Sequence, residues 1–185
     1  MDGSAYAYLL GLYLGDGYIL QMKPGVYRLD LYLSRRYPTI VEKATSAMAS
    51  VRGGDCRPAH RVRTGDVDIY AYWKHWPCVF PQHGPGRKHH RPIRLASWQQ
   101  AIVRANTELF LRGLIHSDGS RVINRVKGYE YPRYHFSNRS SDIRGLFIWA
   151  CARLGVEARR TNRFDVAVSR REHVARLDAF IGPKS

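Results

Sequence analysis

Two aspartates in this chain stand in the same setting. Residues 9–17 read LLGLYLGDG and residues 111–119 read LRGLIHSDG, so Asp16 and Asp118 each close an apolar run and each precede a glycine. They lie 102 residues apart in a chain of 185, which divides the sequence into two similar parts. An acid is awkward there. Each run has the character of a helix that stops at its aspartate, capped at its start by Ser4 in the first copy and by Thr107 in the second. The glycine that follows is expected to release the chain in a left-handed conformation. The negative end of the helix dipole then meets a negative side chain, which is unfavourable by about 0.3–1 kcal/mol each time. If the two helices pack together, the carboxylates also repel one another. A divalent cation held between them resolves both conflicts, because hard cations such as Mg²⁺ take carboxylate oxygens. Close packing is provided for as well. Gly11 and Gly15 are four apart on one face of the first run, and Gly113 and Ser117 hold the same places in the second. Small residues at that spacing let two helix backbones touch, by the steric argument made for membrane helices.

These runs resemble the LAGLIDADG motif of homing endonucleases, in the single-chain form that carries two copies. The match holds at Gly11 and Gly113, at Gly15 and Ser117, and at the two Asp-Gly pairs. It departs at the sixth position, where Leu14 and His116 stand in place of an acid; that position varies in the family. The resemblance implies an α+β fold of two pseudo-symmetric αββαββα halves, with the motif helices side by side at their interface. It implies that Asp16 and Asp118 bind divalent metal at an active centre, with Gly15 and Ser117 beside them in the metal set. Mg²⁺ is the expected cofactor, and Mn²⁺ or Ca²⁺ can substitute in binding. The implied reaction is hydrolysis of one phosphodiester in each strand of duplex DNA, leaving short 3′ overhangs. The family also places lysines or other polar residues after the last helix of each half. Here 84–88 (GPGRK) follows Phe80 and 182–184 (GPK) follows Phe180, so Lys88 and Lys184 are the candidates for charge stabilisation or water organisation. The alternative is a catalytically inactive DNA- or RNA-binding regulator, or an intron maturase, on the same fold. Two retained acids favour the enzyme, because a pure binder gains nothing from two carboxylates facing phosphates.

The composition agrees with a nucleic-acid partner. There are 30 Lys and Arg against 15 Asp and Glu, a formal charge of +15, with a pI near 10.2. Such an excess is too large for an ordinary soluble enzyme acting on neutral metabolites and suits a polyanion bound through counterion release. Arginine supplies 24 of the 30, and arginine suits bidentate contacts to phosphate and guanine. Cys56, Cys78 and Cys151 are scattered without a CxxC pair, which speaks against a zinc ribbon and against a disulfide framework. The N-terminal MDGS lacks the basic region of a leader, and the apolar stretch 5–14 is shorter than the roughly 20 residues a membrane span needs. These features predict reduced thiols in a cytoplasmic or organellar-matrix setting, not secreted, and the resemblance implies a monomer.

The elements that must position the acids follow from periodicity. After a helix over 5–15, strands are expected at 18–20 and 26–34. VYRLDLYLS alternates, with Tyr27, Leu29, Leu31 and Leu33 on one face and Arg28, Asp30, Tyr32 and Ser34 on the other. A helix over 38–51, strands near 57–63 and 66–73, and a short helix over 76–80 complete the first part. The second repeats the order: helix 107–117, strands 121–127 and 131–137, helix 141–154, strands 157–161 and 163–169, and helix 171–180. Ser34 follows Asp16 by 18 residues and Ser137 follows Asp118 by 19. The expected organisation is a first half over 1–80, a basic linker and connecting helix over 81–105, and a second half over 106–185.

Each half then offers a curved four-stranded antiparallel sheet with helices on one face and the other face open. In the first half the open face is expected to carry Arg28, Asp30, Tyr32, Ser34, Arg57, Arg61, Arg63, Asp68 and Tyr70. In the second it is expected to carry Arg121, Arg125, Lys127, Arg133, His135, Ser137, Arg163 and Asp165. Arg87, His89 and Arg91 of the linker would touch the DNA backbone. Arginines interleaved with Asp, Tyr and His supply the mixed donors and acceptors that base edges require. Two strands of about eight residues laid end to end reach roughly 50 Å, or roughly 15 base pairs. The expected target is therefore a long double-stranded DNA site, asymmetric because the two halves differ in sequence, with no membrane and no obligate protein partner.

Overall fold

The computed structural model describes residues 1–182 and Lys184; Pro183, part of the 182–184 GPK parallel, lies outside the described residues. The chain runs α1 (Gly3–Asp16), β1 (Gly17–Lys23), β2 (Val26–Ser34), α2 (Pro38–Arg52), β3 (Ala59–Val62), β4 (Asp66–Tyr72), α3 (Trp76–Val79), α4 (Ser97–Ala105), α5 (Thr107–Asp118), β5 (Gly119–Val126), β6 (Tyr129–Ser137), α6 (Ser141–Arg153), β7 (Arg159–Arg160), β8 (Asp165–Val168) and α7 (Arg171–Ile181). The strands form two antiparallel sheets with the same topology, β1-β2-β4-β3 and β5-β6-β8-β7. The architecture is α+β, and helix α1 lies along α5 in the most extensive contact of the molecule.

Helix α1 is buried from Tyr6 through Leu14. A helix that is apolar all round belongs at the centre of a fold, and here both sheets' helical layers close on it. On β2 the alternation holds for the leucines: Leu29, Leu31 and Leu33 enter the core with Ile69 and Met48. No helix is long and apolar enough to cross a membrane among the described residues.

The small residues do what their spacing requires. A Cβ on Gly11 would stand 2.5 Å from Phe110 O, 2.7 Å from Leu114 N and 2.8 Å from Gly113 Cα. A Cβ on Gly113 would run into Tyr8 O and Gly11 Cα, and one on Gly15 into the Ser117 side chain. The two backbones touch at Gly11 and Gly113, and one turn further on Gly15 packs against the Ser117 side chain beside the aspartates.

The helix termini differ from the expectation in detail. Asp2, not Ser4, caps α1, its Oδ1 accepting from Ser4 N at 2.9 Å and Ala5 N at 3.3 Å. Thr107 is no cap either: its Oγ1 donates back to Val103 O at 3.0 Å, because α4 runs almost directly into α5. The glycines after the aspartates are extended, Gly17 at φ −92° and Gly119 at φ −99°, rather than left-handed. Their reason is space. A Cβ there would stand 2.6 Å from Tyr13 Cα or Ile115 Cα as the chain folds straight from helix into strand.

The linker is tied down. Gln82 Nε2 donates to Arg94 O at 2.7 Å and to Gln99 Oε1 at 2.6 Å, and Gln99 Nε2 donates to Tyr6 Oη at 2.6 Å. The Arg91 guanidinium donates to the carbonyls of Gln82, Gly84, Pro85 and Gly86 at 2.9–3.2 Å. The expected backbone-contacting role of Arg91 is therefore replaced by an internal one: its donors are spent on folding its own loop.

Candidate active site

The two motif helices end side by side, so Asp16 and Asp118 come together from different parts of the chain. The Asp118 Oδ2 lies 2.9 Å from where a Gly15 Cβ would be. Burial, then the neighbouring Asp118, pushes the Asp16 carboxyl up to about 7. Burial also raises Asp118, opposed by the amide of Asn138, whose Nδ2 donates to Asp118 Oδ2 at 2.5 Å. Asp16 has no side-chain hydrogen bond of this kind among the described residues.

Both candidate lysines reach this centre. Lys88 Nζ donates to Gly15 O at 3.0 Å, to Gly17 O at 2.9 Å and to Tyr13 O, and sits over the Tyr13 ring at 5.0 Å. Lys184 Nζ donates to Ser117 O at 3.3 Å and Gly119 O at 2.5 Å, over the Tyr37 ring at 5.5 Å. Each ammonium thus closes the carbonyl end of one motif helix, where the dipole favours positive charge. Burial lowers the Lys88 pKa to about 8 against the pull of Asp118 and Asp16, and lowers that of Lys184 in the same sense. An ammonium has three hydrogens, and Lys88 spends all of them on carbonyls. It offers charge to the centre without a free donor, whereas Lys184 makes two such bonds among the described residues.

The oxygen donors fit a hard divalent cation. No group of three His, Cys, Asp or Glu side chains gathers among the described residues, so the centre offers two carboxylates and backbone oxygens. That suits an ion such as Mg²⁺, which is bound through one or two carboxylates and completes its shell with water and substrate phosphate. The carbonyls of Gly15 and Ser117, placed in the metal set by the sequence, are the ones accepting from Lys88 and Lys184.

An open cleft of about 640 Å³ leads to Asp118 between Tyr18, Ser137, Asn138, Arg87, Lys88 and His89. It places Arg87 and His89 in the same lining as Asp118. Tyr18 pairs with Asp30, and Ser137 with Asp165, across the strands. The cleft therefore continues onto the helix-free faces of both sheets.

Strand register decides which residues those faces carry. In the first sheet Arg28, Tyr32, Ser34, Tyr70, Asp30, Asp68, Arg61 and Arg63 share the open face, with exposed Arg57 leading into β3. Asp30 and Asp68 are only 1 % exposed, however, held by Arg28 Nε at 3.0 Å and Arg63 Nε at 2.7 Å. They offer no free acceptor at the surface. In the second sheet Arg133, His135, Ser137 and Asp165 are on the open face. Arg121 and Arg125 are not. Arg121 pairs with core-facing Tyr134, and its guanidinium clasps Asp178 of α7 at 2.7 and 2.9 Å. Arg125 shares that face and binds Glu130 at 2.9 Å. Sequence parity put them on the wrong side because the hairpin register pairs odd residues of β5 with even residues of β6, Arg121 with Tyr134 and Arg125 with Glu130, and that register is set by the turn. Lys127 lies on neither face: with Gly128 it makes the tight turn of the hairpin, at φ 49°. Arg163 is exposed in the β7–β8 turn over the Phe164 ring at 5.1 Å.

Neither a protein-family model nor a curated protein matches the sequence. Solved structures do. The homing endonuclease I-DmoI, in complex with DNA and Mn, superposes with a TM-score of 0.59 at 14 % identity over 98 % of each chain. The N-terminal LAGLIDADG domain of WhiA gives 0.58 at 12 % identity, over 98 % of this chain and 83 % of that one. I-GzeII with its DNA target gives 0.53 at 9 % identity, over 97 % and 82 %. This is the LAGLIDADG fold.

Two residues of the candidate centre and its flank were not singled out by sequence reasoning. Asn138 was missed because the offset from the motif aligned Ser137 with Ser34. Register aligns it with Tyr32 instead, since Gly17 pairs with Leu31 and Gly119 with Phe136. Asn138 then corresponds to the core residue Leu33, and a polar side chain at a core position was the available signal. Tyr72 was missed at the strand end, where it meets Arg28 on the open face at 6.0 Å.

Proposed function

We propose that the chain is a monomeric, metal-dependent endonuclease that cuts both strands of a long, asymmetric duplex DNA site, one strand per aspartate, leaving short 3′ overhangs. The observation that carries the reading is the meeting of two carboxylates and two half-buried ammonium groups at the paired ends of α1 and α5. A binding surface has no use for that arrangement, since the carboxylates repel phosphates. The likeness to I-DmoI and I-GzeII, both solved with DNA, supports duplex DNA as the substrate. The I-DmoI complexes with Mn, Ca and Mg support a divalent cofactor.

Asp16 and Asp118 would hold the cation. When bound, it supplies Lewis-acid stabilisation of the phosphate and lowers the pKa of water. Lys88 and Lys184 keep the helix ends neutral enough for two acids to coexist, and place positive charge near the phosphate as negative charge develops. Asn138 fixes one rotamer of Asp118. The open sheet faces hold the duplex across the cleft.

Asp16→Asn and Asp118→Asn test this directly. Each variant is expected to bind duplex DNA as the parent does and to lose double-strand cleavage in Mg²⁺. Parental cutting rates in both variants refute the assignment. A parent that binds but never cuts, in any divalent ion, leaves the regulator or maturase reading.

A further inference from the structure

The two sheets treat their arginines differently. In the first, the acids Asp30 and Asp68 lie at 1 % exposure beneath Arg28, Arg61 and Arg63. The register places Asp165 where Asp68 stands, opposite Ser137 as Asp68 is opposite Tyr32. Yet Asp165 accepts from Asn162, and Arg163 at the corresponding turn lies over Phe164 instead. Only the first sheet buries carboxylates under its guanidinium groups.

A phosphate clamp gains nothing from such acids, because each carboxylate cancels charge that would attract the DNA backbone. A base reader gains orientation. Guanine presents two neutral acceptors, O6 and N7, on one edge, and a guanidinium meets them with two parallel donors. Arg28 is too enclosed to do this: it is 13 % exposed, with Tyr70 at 5.3 Å. Arg61 is held only loosely, its Nη1 3.9 Å from Asp68 Oδ2. Arg63 is the exception. Its Nε is fixed to Asp68 Oδ2 at 2.7 Å while the side chain is 55 % exposed. Its backbone is fixed as well, Arg63 N donating to Asp66 O at 2.9 Å. With Nε committed, the two terminal nitrogens of this half-exposed side chain remain as donors, with no hydrogen-bond partner among the described residues.

We infer that Arg63, oriented by the buried Asp68, is a specificity-determining residue that reads a guanine in the half-site under the first sheet. Asp68 is its positioning residue. The inference rests on the DNA-cleavage reading above and deepens it.

The test uses the full chain and a randomised duplex library, with EDTA present so that binding is read without cleavage. The parent is expected to select a site containing one guanine favoured about 5- to 100-fold over other bases. Arg63→Ala, a change at an exposed side chain, should flatten that position alone. Asp68→Asn should flatten the same position without weakening overall binding, since it removes a negative charge. Three results overturn the inference: an unchanged motif in Arg63→Ala, loss at a position that is not guanine, or a uniform loss of affinity with the salt slope reduced by about one, the mark of a phosphate contact. A parent that selects no sequence and binds no duplex refutes the DNA reading itself, and this inference with it.

Discussion

Gly11→Ala probes the contact on which the catalytic arrangement depends. The new Cβ would face Phe110 O at 2.5 Å, Leu114 N at 2.7 Å and Gly113 Cα at 2.8 Å. Optimal carbon contacts lie near 3.5–4.0 Å, so α1 and α5 must part by roughly 1 Å. All three neighbours are backbone atoms, which cannot rotate aside, and the penalty belongs at the upper end of the usual overpacking range, about 3 kcal/mol. Alanine recovers about 1 kcal/mol of helix propensity. The net loss is about 2 kcal/mol, and Tm should fall by about 4–8 °C for a chain of this size. The same displacement moves Asp16 against Asp118, and a misplacement of about 1 Å costs on the order of 10²-fold in rate. Differential scanning calorimetry and cleavage of a selected duplex target measure both effects. Gly145→Ala is the control, because its Cβ in α6 meets nothing within 4 Å; it should stabilise by about 0.5–1 kcal/mol and leave cleavage alone. A Gly11→Ala protein as stable and as fast as the parent refutes the packing argument.

Other perturbations separate charge, loop and face. Because burial and Asp118 raise Asp16 to about 7, its contribution to stability is complete below the unfolded carboxylate range and is lost as pH rises toward 7. In chelator, Asp16→Asn should therefore gain stability over the parent between about pH 4 and 7, by denaturant titration; a constant difference across that range contradicts the raised pKa. Added Mg²⁺ should in turn raise the parental Tm more at pH 8 than at pH 5, and not in Asp16→Asn. Arg91→Ala should open the loop over 82–91 to protease and destabilise the protein by about 1–3 kcal/mol, while duplex affinity in limited-salt titrations stays near the parent's. Arg133→Ala should lower the salt slope of DNA binding by about one. Arg121→Ala should leave that slope unchanged and lose at most about 1 kcal/mol of stability, as a half-exposed pair with Asp178 would.

What was legible in the sequence were the features written in local pattern. The doubled apolar runs ending in Asp-Gly named the acids and the helix contact, because small residues four apart have one steric consequence wherever the helix lies. The alternation in VYRLDLYLS placed Leu29, Leu31 and Leu33 inward, and the segments 84–88 (GPGRK) and 182–184 (GPK) after Phe80 and Phe180 named Lys88 and Lys184. Neighbours remote in sequence were not legible. The cover over Asp68 depends on the β3–β4 register that brings Arg61 and Arg63 to it, and the turning inward of Arg121 follows from Asp178 on the last helix. Asn138 reaches Asp118 only because β6 ends beside α5. A sequence fixes which face of an element is apolar, since that depends on period alone. Only the packed molecule decides which charged groups meet, because ion pairs and hydrogen bonds act over about 3 Å between residues that the chain order leaves far apart.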